Sequence, residues 1–136
     1  MRNDNTPYQN GVVIFWKENN GTGPSESLTL PAEGSGDTAY KSVGGDYSKI
    51  AMSDIPSATT ITFSQGAGSN RKYIKLLTTH RPASLNRTEF QYLMNSYSVG
   101  DFISEGLGFK VLEKEGKASD AGIDCHIQLS KSPPTA

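Results

Sequence analysis

Ser53-Asp54-Ile55-Pro56-Ser57-Ala58-Thr59-Thr60-Ile61-Thr62-Phe63 decides the reading of this chain, because a related stretch returns at Ser119-Asp120-Ala121-Gly122-Ile123-Asp124-Cys125-His126-Ile127-Gln128-Leu129. Each copy opens on a turn-forming Ser-Asp step and continues into a run whose apolar residues alternate, the period of a half-buried strand. The offset is 119 − 53 = 66 residues, close to half of the 136-residue chain. A repeat that ends in a strand predicts two related β-units. The alternation places Ile61 and Phe63 of one copy, and Ile127 and Leu129 of the other, on the inward face. Cys125 joins them there and His126 points outward.

Outward from this repeat, the chain reads as short strands between turns. Residues 11–17 are β-branched and aromatic and form the first strand. Residues 18–24 are dense in turn chemistry, and residues 26–30 form the second strand. The third is 40–43, followed by Gly44-Gly45-Asp46-Tyr47; the fourth is 59–65. After the glycine joint at 66–70 come strands at 73–77, 89–94 and 109–113, and a last one at 125–129. The segment 84–94 also fits an amphipathic helix capped by Ser84. The strand is preferred because the repeat places one there, with Phe90, Tyr92 and Met94 on one face.

The expected fold is therefore all-β: a single domain over 1–136, with two Greek-key motifs of about four strands each packed as a β-sandwich. A polar tail occupies 1–10, the first motif 11–66, a linker 67–71, the second motif 72–131 and a second tail 132–136. Gly 14 and Pro 7 suit many turns better than long helices.

Charge and cysteine content narrow the function classes. Thirteen basic and 14 acidic residues give a net charge of −1 with no basic block, so no nucleic-acid partner is expected. No apolar run is long enough to span a membrane, and residues 1–10 carry no signal-peptide pattern. A soluble cytoplasmic protein is the expectation. Asn20-Gly21-Thr22 and Asn86-Arg87-Thr88 are then glycosylation sequons in form only. Cys125 stands alone, which removes internal disulfides and cysteine-rich zinc sites.

Trp16-Lys17-Glu18-Asn19-Asn20-Gly21-Thr22-Gly23, then Gly45-Asp46-Tyr47, Met52-Ser53-Asp54 and the strand to Phe63, form a sequence of cues that resembles the βγ-crystallin superfamily. Phe90-Gln91-Tyr92-Leu93 and Gly100-Asp101-Phe102 extend the likeness into the second half. It covers roughly residues 11–131 and looks like a divergent microbial or fungal member. Gly21 stands where the family's second aromatic belongs, the signature is missing after Leu77, and extra residues separate Phe102 from Ser119. The resemblance implies paired Greek keys and a structural or storage-like role.

Many microbial relatives bind calcium through Asn/Asp, Asn/Asp, two free residues, Ser/Thr and Ser, a set of hard oxygen ligands. Here Asp54 and Ser57 match in the first half, while Ser53 and Ala58 do not. In the second half only Asp120 matches; Ile123 replaces a hydroxyl with hydrocarbon. Little or no calcium binding is expected, and no other cofactor.

Other chemistry-bearing residues read blandly. His80 lies in a turn and His126 on an outward face, neither with a metal-ligand partner at helical or strand spacing. No nucleophile elbow is present. Gly21-Thr22-Gly23 and Gly66-Ala67-Gly68 lack the Lys-Ser/Thr ending of a phosphate loop. Cys125 reads as a small buried hydrophobe, and the aromatics, Trp16 among them, as core and cross-strand packing. The reading that follows is a non-enzymatic, monomeric structural protein. A lectin-like or antimicrobial binding module is the alternative, so a carbohydrate partner stays open.

Overall fold

A computed structural model describes residues 11–17, 25–32, 34–44, 47–56, 58–66, 71–79, 83–104, 106–117 and 122–130. Along these run β1 (Val12–Trp16), β2 (Ser25–Thr29), β3 (Thr38–Val43), β4 (Lys49–Ile55), β5 (Thr60–Gln65), β6 (Lys72–Thr78) and β7 (Ala83–Glu89). They are followed by α1 (Phe90–Ser96), β8 (Gly106–Leu107), β9 (Phe109–Glu115) and β10 (Ile123–Gln128). Among the described residues the fold is all-β apart from one short helix, and the strands form two antiparallel five-stranded sheets.

The first sheet has the order β2-β1-β4-β7-β8 and the second β3-β10-β5-β6-β9. Their inner faces enclose one core. Val13 and Phe15 of β1 alternate inward, as do Ile50 and Met52 of β4, and all four are buried. From the second sheet come Ile61, Phe63, Ile74, Leu76, Cys125 and Ile127. Phe15 meets Phe63 edge to face across the sandwich, at 6.2 Å between ring centres, and Phe63 meets Phe90 in the same way at 6.1 Å. Burial of these alternating side chains is the main stabilising term, with aromatic geometry adding to it.

The inward assignments of Ile61, Phe63, Cys125, Ile127 and Leu129 hold, and His126 is exposed. Several expected features differ. Ser53-Asp54 does not form a turn leading into a strand; it lies within β4, a strand absent from the sequence reading. Asp54 has φ 56°, at one of two register shifts between β4 and β7. The strand therefore bulges where the sequence suggests a corner. The chain is instead held after β4 at Pro56, Ala58 and Thr59, all three bonded to Thr78. Its Oγ1 donates to Pro56 O (2.6 Å) and accepts from Thr59 N (2.8 Å), while Ala58 N donates to Thr78 O (3.1 Å).

The strand expected at 89–94 is a second correction. Ser84 lies in β7, and the helix starts at Phe90 with Glu89 at its N-cap. Phe90, Leu93 and Met94 are buried, a helical spacing, whereas Tyr92 faces out. A strand would have put Tyr92 on the same face as Phe90, and the core selects the helix instead.

Trp16 is the third correction. It falls on the opposite face of β1 from Phe15 and is half-buried on the outer side of the first sheet. The Arg87 guanidinium lies 5.4 Å from its ring centre. Tyr40, Tyr92 and Phe102 also leave the core, for all three are exposed. The expected joint at 66–70 falls between β5 and β6, which pair along their length from Thr60↔Leu77 to Gln65↔Lys72. Residues 67–70, and the tails at 1–10 and 132–136, lie outside the described residues.

Where residues 44–48 join β3 to β4, a longer insertion carrying α1, β8 and β9 joins β7 to β10. β9 adds to β6 at the edge of the second sheet, and β8 adds to β7 at the edge of the first. Residues 100–103 then run beside β9: Gly100 N donates to Val111 O, Val111 N to Asp101 O and Ile103 N to Phe109 O. Among the described residues, no helix is long and apolar enough to cross a membrane.

Candidate functional site

The residues with calcium-loop spacing are not brought together as a described site. Asp54 is exposed in the bulge of β4. Ser57, Ser119 and Asp120 lie outside the described residues, as do His80 and the glycines Gly21 and Gly23. Ala58 has φ 56° and presents a methyl group, and Ile123 is buried in the core. Among the described residues, no group of three or more His, Cys, Asp or Glu side chains could hold a metal ion.

Cys125 is buried between Phe63 and Lys41 in register, and burial pushes its thiol pKa far up. A nucleophilic thiol requires the reverse, an accessible setting that favours the thiolate. Trp16 Nε1 is buried with no hydrogen-bond partner among the described residues. Its ring is nonetheless engaged by Arg87, and Lys49, opposite it in register, pairs with Glu89 at 3.4 Å.

The arrangement with the most chemistry lies on the outer face of the second sheet. Strand pairing fixes it. His126 stands opposite Tyr40 on one side and Thr62 on the other; Asp124 stands opposite Ser42 and Ser64. Side chains directly opposite in antiparallel strands are close enough to touch. The Tyr40 and His126 rings lie 4.5 Å apart, tilted by 57°. Asp124 Oδ1 accepts from Ser42 Oγ at 2.7 Å and from Tyr40 Oη at 3.2 Å. Both hydroxyls donate to the same carboxylate oxygen, and Oδ2 has no partner among the described residues.

Farther along the same face, Lys75 pairs with Glu113 at 3.7 Å, and Tyr73 Oη donates to Glu113 at 3.2 Å. That hydrogen bond, with burial second, raises the Tyr73 pKa. Sequence reasoning places His126 outward but counts Tyr40 as packing and gives Asp124 no role. The signal was present in the alternations Thr38-Tyr40-Ser42 and Asp124-His126-Gln128. What joins them is a strand pairing between residues 84 apart in the chain. Comparison of the chain with protein-family models, with curated proteins and with solved structures finds no match.

Proposed function

We propose that this chain is a non-enzymatic structural protein of the βγ-crystallin type, working by remaining folded and abundant, with little or no calcium binding. Strand order carries the reading. β4 returns to lie beside β1, as the fourth strand of a Greek key lies beside the first. β3 crosses to the other sheet. β5, β6, β7 and β10 repeat that course: β10 returns beside β5, and β7 crosses. On this reading the units run 11–56 and 59–129, and Val13 and Phe15 correspond to Ile61 and Phe63. Each unit lends its third strand to the other's sheet, so neither completes a core alone.

The exposed Asp54, the methyl of Ala58 and the buried Ile123 support the absence of a calcium site. The high pKa of the buried Cys125 supports a role without nucleophilic catalysis. A near-neutral charge favours neither nucleic acid nor an anionic surface as partner. Monomeric life in the cytoplasm completes the reading. Thermal unfolding tests it: one cooperative transition is expected, at the same midpoint with millimolar calcium and with chelator. A ligand that binds only the native state raises the midpoint. A rise of several degrees with calcium, or two separated transitions, would overturn the calcium-free interlocked pair. Quantitative proteomics of the source cells tests the role itself, which requires high abundance in at least one stage.

A further inference from the structure

The outer face of β3, β10 and β5 is built from side chains of one kind. Thr38, Ser42, Thr60 and Thr62 carry hydroxyl groups around the Tyr40–His126 ring pair, while Ser64 is buried and the Gln128 amide donates to Gly36 O and Leu129 O. Asp124 is the only carboxylate among the outward residues of these strands, and none carries a Lys or Arg. The next cation across the sheet, Lys75, is already paired with Glu113. The face therefore offers hydrogen bonds in both senses and a single carboxylate.

Two features give it a direction. Tyr40 leaves 53% of its surface exposed, the ring braced by His126 at 4.5 Å. Beside it, the Asp124 carboxylate is held by two donors on Oδ1 and leaves Oδ2 as an oriented, charged acceptor. A ligand that complements both needs an apolar flat side for the ring and a rim of hydroxyl donors for the carboxylate. We propose that this face binds a neutral oligosaccharide. One pyranose ring lies on Tyr40, its hydroxyls donate to Asp124 Oδ2, and the chain continues over His126 and Thr62. Three strands span about 10 Å, enough for a short oligosaccharide. An aromatic ring beside a carboxylate also suits an organic cation. The hydroxyl-rich surround and the absence of further carboxylates favour the neutral ligand. The inference is independent of the crystallin-type reading, because it depends on the outer face and not on the core.

The test is a 15N–1H NMR titration of the full chain with cellohexaose, chitohexaose, laminarihexaose and maltohexaose, and separately with choline chloride. At least one sugar is expected to shift the amides of Tyr40, Ser42, Asp124, His126 and Thr62 together and saturably. Tyr40→Ala and Asp124→Asn should each weaken that binding about tenfold, the size of one stacking or charge-assisted contact. Tyr40→Phe, which keeps the ring, should lose only a few-fold. No shift with any of the four sugars at about 10 mM would overturn the proposal. So would shifts confined to another face, undiminished binding by a folded Tyr40→Ala, or choline shifting these amides where the sugars do not. If Tyr40→Ala fails to fold, the wild-type shift map decides.

Discussion

The two halves of the sandwich share a frame but differ in one connection. Residues 44–48 join β3 to β4, whereas residues 90–122 join β7 to β10 and carry α1, β8 and β9. The frame pairings are nevertheless equivalent, β4 beside β1 and β10 beside β5. The insertion leaves them intact because it contributes one strand to the outer edge of each sheet. Edge strands have unpaired backbone groups, and an inserted strand can satisfy them without displacing a frame partner. A long connection in this fold is thus tolerated where it ends on an edge.

Breaking the frame should have the largest effect. Phe63 is fully buried in β5 and touches the rings of Phe15 and Phe90. Phe63→Ala is expected to cost about 3–5 kcal/mol by denaturant unfolding. A loss below about 0.5 kcal/mol, within the range of ordinary surface changes, would remove Phe63 from the shared core.

Disturbing the insertion should be milder and local. A Cβ at Gly106 would lie 2.2 Å from Ser84 O and 2.9 Å from Leu85 Cα, both backbone atoms, so β8 can pair with β7 only if this residue has no side chain. Gly106→Ala should speed amide exchange at Ser84 and Leu85 while β1, β4, β5 and β10 keep their protection. Faster exchange across those four strands would show that the insertion is part of the frame.

The smallest effect is expected where the two sheets approach at their other edge. Lys41 of β3 lies 2.8 Å from Glu26 of β2, and its hydrogen bond holds the Glu26 carboxyl below its usual range. A carboxyl with a depressed folded-state pKa stabilises above its unfolded pKa and loses that contribution as pH falls through the folded one. In the Lys41→Gln protein, NMR titration should return Glu26 towards the ordinary carboxylate value. An unchanged titration would place Lys41 elsewhere in solution.

Much of the strand content was legible because alternation is a local property. Val12–Trp16, Thr60–Gln65, Phe109–Glu115 and Ile123–Gln128 carry it openly, and each forms close to where it was expected. β4 was hidden by Ser53-Asp54, residues that favour turns when read alone; here a bulge and the flanking β1 and β7 keep them in a strand. The helix at Phe90–Ser96 was hidden because a short apolar segment fits either period. Only the shape of the core decides between them.

The repeat 66 residues apart shows the same limit. It aligns β5 with β10, strands that lie side by side and antiparallel, with Phe63 opposite Cys125 and Ile61 opposite Ile127. The first strands β1 and β5 are instead alike in Val13-Ile14-Phe15 and Ile61-Thr62-Phe63. By itself the sequence determined that the chain is mostly β-strand, that Ile61, Phe63, Ile127 and Leu129 face inward, and that Cys125 is a core residue. The tertiary structure decided which strands are neighbours. It thereby decided that Trp16 and Tyr40 lie outside, and that Asp124 meets Tyr40 and Ser42. Side-chain alternation is set within a few residues of backbone, whereas strand partners are chosen by closing long loops around one shared core.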